Sequence, residues 1–147
     1  MIQEDKNLLL QDLCGRLPYG VKVQSYSYED DVETVETLYE INSDRYTSTL
    51  ECDTLKNIHK PYLFPLSSMT DKQIEELYSL FDLQYPSIGE DYIKINEVTG
   101  ITFFLCNGFD VETHLDKLLN WLNKNHFDWR GLIPMGLAND ATGLNIY

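Results

Sequence analysis

The most regular apolar spacing in the chain lies between residues 110 and 124. Val111, Leu115, Leu118, Leu119 and Leu122 recur at helical intervals, with Glu112, Asp116, Lys117, Asn120, Asn123 and Lys124 on the other side. A single stripe of this kind predicts an amphipathic α-helix. Asp110 stands where an N-cap oxygen takes the free amides of the first turn, and Asn125 where a left-handed residue closes the last. The stripe predicts that Leu115, Leu118, Leu119 and Leu122 are buried against a sheet containing Phe103 and Leu105. Phe127, Trp129, Leu132 and Ile133 follow as a second, short apolar element, with Asp128 as its cap.

Two further helices are predicted. Over 4–17, Leu10, Leu13, Cys14 and Leu17 share a face with Leu9 beside them, and Leu17-Pro18-Tyr19-Gly20 ends the element. Cys14 on that face reads as a small core hydrophobe. Over 71–81, Ile74, Leu77, Tyr78 and Phe81 point inward. Thr70 and Gln73 have the spacing of a capping box, and Met69 and Ile74 that of a hydrophobic staple. His59–Pro65 must be extended, because each residue before a proline is pushed out of the helical region.

Period-two alternation marks the strands. Val21–Gln24 begins one, and residues 29–33 read as a charged turn. Val35, Thr37, Tyr39 and Ile41 are then expected inward, with Glu36, Leu38 and Glu40 outward. Asn42–Asp44 is turn chemistry, and Arg45–Cys52 is expected to return as the hairpin partner. Tyr92, Ile93 and Ile95 imply a strand, and Ile101–Leu105 is apolar enough for a central one. The polar tail after Ala138 is expected on the surface, anchored by Ile146 and Tyr147. This order predicts an α+β fold: one domain over 1–147, with a mainly antiparallel sheet packed by about three helices.

Composition narrows the class. Apolar residues make up 43% of the 147, enough for a core. The net charge of −13 and a pI near 4.4 oppose binding to nucleic acid or anionic membranes and favour a protein partner with a basic surface. No window approaches the roughly 18 apolar residues of a membrane helix. The first residues carry acids where a signal peptide carries bases. Cys14, Cys52 and Cys106 are odd in number and far apart, the usage of a reduced, cytoplasmic chain. Oligomeric state is left open by the sequence.

Three blocks, DLCGRLPYGVK at 12–22, KPYLFPLSSMT at 60–70 and WLNKNHFDWRGLIPMGLAND at 121–140, carry a resemblance. Together they resemble a family of short uncharacterised proteins of gut Bacteroides-group bacteria, their prophages and other mobile elements. Segments 23–58 and 82–108 lie outside it. The resemblance implies a cytoplasmic or phage-encoded origin and brings no activity and no functional residues.

Candidate chemistry is sparse. His59, His114, His126 and the cysteines lack metal-ligand spacing, and neither a glycine-rich phosphate loop nor a nucleophile elbow is present, so no cofactor is expected. Ser67 and Ser68 precede a helix, where serines cap. His126, Asp128 and Arg130 put a base, an acid and a guanidinium within five residues, an acid–base site if they converge. The alternative is structural: Asp128 caps, Arg130 pairs with it or with a carbonyl, and Phe127 and Trp129 anchor the elbow. The aromatic and proline cluster at 61–65 reads either as a binding groove or as an edge cover.

The acidity is localised. Residues 29–53 hold nine acids against the single base Arg45, a net −8 of the total −13, whereas residues 1–28 are neutral. The candidate partner-binding residues are Glu29, Asp30, Asp31, Glu33, Glu36 and Glu40, with Tyr39 and Tyr46. The plain alternative is a solvated hairpin that keeps the chain soluble and its edge unpaired. The expected function is a non-enzymatic protein-binding module of mobile-element or phage type. A DNA-mimic inhibitor of a basic nucleic-acid-binding protein comes next. From another class comes a small hydrolase or transferase using His126, Asp128 and Arg130.

Overall fold

The fold is that of a computed structural model, which describes residues 2–27, 32–38, 41, 60–83, 92–96, 100–104 and 115–147. The architecture is α+β. Instead of one mainly antiparallel sheet, the described residues carry three two-stranded sheets, two antiparallel and one parallel. The chain gathers into two compact units: Met1–Leu63 with Leu132–Tyr147, and Phe64–Gly131.

The first unit opens with α1, Gln3–Arg16, followed by a 3-10 turn at Leu17–Tyr19. Gly20 then takes a φ of 66°, the left-handed conformation that costs glycine least. The buried face of α1 is Leu9, Asp12, Leu13 and Arg16: Leu13, with Leu9 beside it, is buried as predicted, whereas Leu10 and Leu17 are half-buried and Cys14 is exposed. Two charged residues hold core positions, which hid the true stripe. Arg16 donates from Nε to Asp12 Oδ2 at 2.6 Å and from Nη2 to Asp12 Oδ1 at 3.0 Å. One helical turn brings them side by side, and the two-pronged pairing lets both charges stay in a dry interior.

Strand β1, Lys22–Ser27, pairs antiparallel with β2, Val32–Thr37. Among the described residues β2 pairs with β1 alone, and the predicted return over 45–52 lies outside them. The inward set also differs from expectation. Leu38 packs on the core with Val21 and Val23, while Val35 is exposed. A strand's faces alternate, so burying Leu38 turns Val35 to the other side. Ile41 does pack inward, as expected.

Strand β3, Tyr62–Leu63, runs parallel to β6, Asn139–Asp140. A parallel pair needs a long crossover, and residues 64–138 supply it. The Gln24 amide donates to Lys60 O at 2.9 Å, and Val23 faces Pro61 across an antiparallel bridge. The next ladder bond in that register would join Lys22 N to Tyr62 O. Instead the Tyr147 hydroxyl sits between them, accepting from Lys22 N at 3.0 Å and donating to Tyr62 O at 2.6 Å. Burial of that hydroxyl pushes its pKa from 10.0 up to about 12, although the Lys22 amide and the Arg16 charge pull it down. Tyr147 thus anchors the tail, as expected. The core of this unit is Leu9, Leu13, Val21, Val23, Leu63, Leu132, Leu137 and Ala138.

The second unit contains a 3-10 turn at Leu66–Ser68, then α2 (Asp71–Ser79), the hairpin β4 (Tyr92–Asn96) with β5 (Gly100–Phe104), and α3 (Leu115–Lys124). The start of α2 matches its sequence signature. Gln73 N donates to Thr70 Oγ1, Thr70 N donates to Gln73 Oε1, and Met69 and Ile74 pack on one cluster. Leu77, Tyr78 and Phe81 are buried as predicted. In α3, Leu118 and Leu122 are buried and Leu119 is half-buried, but Leu115 is 46% exposed. The stripe packs with Ile93 and Ile101 of the hairpin. The Phe103 side chain, Leu105 and the predicted cap Asp110 lie outside the described residues. Among the described residues strand β5 pairs with β4 alone.

Both helices of this unit end alike. After α2, Leu83 N reaches Tyr78 O and Asp82 N reaches Ser79 O, with Asp82 at a φ of 54°. After α3, Phe127 N reaches Leu122 O and His126 N reaches Asn123 O, with His126 at a φ of 57°. Each is a Schellman motif. The left-handed residue that closes α3 is His126, not the predicted Asn125, whose side chain instead donates back to Trp121 O at 2.9 Å.

Candidate protein-binding surface

Strand β2 carries the described part of the predicted acidic surface. Its register sets Glu33 against Tyr26 and Glu36 against Val23. Alternation puts Glu33 and Val35 on one face and Thr34 and Glu36 on the other. All four are exposed, although Val23, directly opposite Glu36, is buried. The cover that Leu38 gives the core ends before Glu36. Thr34 Oγ1 donates to Glu36 Oε1 at 3.2 Å, holding that carboxylate along the strand. Neither Glu33 nor Glu36 joins an ion pair among the described residues. Glu33 shares its face with Val35, which is 46% exposed, and Glu36 stands on the other. Such charges steer a basic partner, and an adjoining apolar group adds burial once it docks. Glu29, Asp30, Asp31, Tyr39, Glu40 and Tyr46 of the predicted set lie outside the described residues.

The second candidate, His126, Asp128 and Arg130, is built differently. The backbone of this elbow is zipped onto Phe64: Phe64 N donates to His126 O at 2.9 Å and Asp128 N donates to Phe64 O at 2.8 Å. His126 and Asp128 are buried at 7% exposure each. The guanidinium of Arg130 lies over the Trp129 ring, 4.1 Å from its centroid, rather than in the predicted pairing role alone. Trp129 Nε1 donates to the buried Asn123 Oδ1 at 2.9 Å, and Trp121 stacks on Phe127 at 5.7 Å. The geometry is that of a helix terminator locked by aromatic rings.

The residues at 61–65 divide between edge and core. Pro61 and Leu63 are buried, and Tyr62 offers its carbonyl to Tyr147. An open groove in the second unit is lined by Lys72, Glu75, Glu76, Ser79, Leu80 and Trp121. The sequence reading missed it; the one signal was Trp121, on the flank of the α3 stripe. Among the described residues no three His, Cys, Asp or Glu side chains gather to hold a metal ion, and no helix is long and apolar enough to cross a membrane.

No family model, curated protein or solved structure matches the chain.

Proposed function

We propose that this chain is a small acidic cytoplasmic protein, of mobile-element or phage type, that works as a non-enzymatic binding module for a protein with a basic surface. It acts as one domain over 1–147 and contacts neither nucleic acid nor membrane directly. The acidic stretch 29–53 is its working surface, with Glu33 and Glu36 at its described core. The observation that carries this reading is four consecutive exposed residues on β2, bearing two carboxylates outside any ion pair among the described residues. Crowded like charges on a ribbon repel and add nothing to stability. A partner that needs negative potential accounts for their placement; solubility needs net charge but no particular location. The Bacteroides-group resemblance of the three blocks supplies the origin in this proposal.

The test replaces Glu33, Glu36 and Glu40 together with Gln and compares capture from host lysate at low and raised salt. The parent is expected to retain a basic protein at low salt and release it as salt rises, while the folded variant retains little at either. Equal retention by both, indifferent to salt, would reduce the strand to a solvated face.

A further inference from the structure

We propose that the groove between α2 and Trp121 is a receptor for an arginine side chain of the basic partner. The inference rests on the reading of a basic protein partner but uses a surface remote in sequence from β2. The groove is lined by Glu75, Glu76, Lys72, Ser79, Leu80 and the Trp121 indole. Helical spacing explains the set. Lys72, Glu76 and Leu80 lie four apart, as do Glu75 and Ser79, so one side of α2 forms a wall. Leu80 and Trp121 are half-buried and give an apolar floor, whereas Glu75 and Glu76 are exposed at the rim. Neither carboxylate is tied in an ion pair among the described residues, nor is Lys72.

The chemistry that fits is a planar cation. An indole attracts a guanidinium over its face, and a carboxylate beside it takes the N–H fork. Trp121 stacks on Phe127, so Phe127 backs the indole and the rest of the ring meets the groove. The second unit already makes this contact once within itself, where Arg130 lies 4.1 Å over Trp129. Two acids against one base leave the groove negative, which opposes an acidic or phosphorylated occupant and favours arginine.

Trp121 and Trp129 are the only two tryptophans, so their indole N–H signals report separately by NMR. The probes are a tetra-arginine amide and its neutral tetra-citrulline counterpart. With tetra-arginine, the Trp121 signal should shift to saturation. The Trp129 signal, hydrogen-bonded to Asn123, should stay in place. Tetra-citrulline should shift neither. Glu75→Gln with Glu76→Gln should weaken the Trp121 titration about threefold, the loss of exposed carboxylate contacts to the guanidinium. Glu33→Gln with Glu36→Gln should leave it unchanged. A Trp121 signal that does not move, or that titrates equally in the Glu75/Glu76 variant, overturns the groove. If the peptide binds but only the Glu33/Glu36 variant weakens it, the groove fails and the strand reading stands. If only the Glu75/Glu76 variant weakens it, the groove stands, and the strand is tested separately by the salt-dependent capture described above.

Discussion

The two units of this protein are held by different means. In Phe64–Gly131, α2 and α3 bury apolar stripes and close with Schellman motifs. In the other unit, the one described helix carries a bidentate ion pair on its core face, and a tyrosine hydroxyl stands in for a ladder bond. The difference matters for how each fails. An apolar stripe loses stability in proportion to the volume removed. A buried polar device fails as a unit, because deleting one partner strands the other without water.

The largest expected effect tests that contrast in the first unit. Arg16→Ala should cost about 3–5 kcal/mol by leaving the buried Asp12 carboxylate without its ion-pair partner. Replacing both, Asp12→Leu with Arg16→Met, should restore parental stability or exceed it by about 1–4 kcal/mol. Urea midpoints decide; a double variant as weak as the single one removes the pair from the account. In the second unit, Leu77→Ala should cost about 2–5 kcal/mol, while Leu115→Ala should stay within about 0.5 kcal/mol because its side chain is exposed. Equal losses at the two positions would mean that the face of α3 is misplaced.

Tyr147→Phe comes next, at about 1–2 kcal/mol, since Lys22 N and Tyr62 O lose a common partner that water can partly replace beside the 43% exposed ring. Its pH dependence has a definite sign. Below pH 10 the phenol is protonated whether the chain is folded or not, and its contribution is complete. From pH 10.0 to about 12 the unfolded chain ionises Tyr147 while the folded chain keeps the proton, so stability falls as pH rises. The parent's advantage over Tyr147→Phe should shrink across that window and be flat below it. The smallest effect is Thr70→Ala, about 1 kcal/mol for the lost cap, with Thr70→Ser close to neutral.

The same contrast explains what could be read in advance. The α2 boundary was legible because Thr70, Gln73, Met69 and Ile74 act within one turn, so sequence spacing is spatial proximity. The face of α1 was not. Asp12 and Arg16 resemble surface residues until their mutual pairing is known, and Cys14 resembles core. The β2 facing failed because Leu38 follows the strand's end and only the packing of Val21 and Val23 reveals which side it joins. His126 drew attention as a titratable group beside Asp128. Its actual place is backbone geometry, the left-handed residue of a helix terminus, which no side-chain pattern announces. The acidic strand was legible as charge, and the exposure of residues 33–36 was not, since that depends on where the core cover ends. The Trp121 groove depends on two helices far apart in sequence.

The central claim is that the exposed acids of β2 bind while Asp128 and Arg130 of the elbow hold the fold. Its most direct test is a side-by-side capture from host lysate on immobilised parent, the Glu33/Glu36/Glu40→Gln variant and the Asp128→Asn, Arg130→Gln variant, each with its urea midpoint measured. The account predicts that the first variant keeps the parental midpoint and loses the basic partner, and that the second has a lower midpoint yet retains the partner while folded. Retention by the first variant together with loss by the folded second would contradict it.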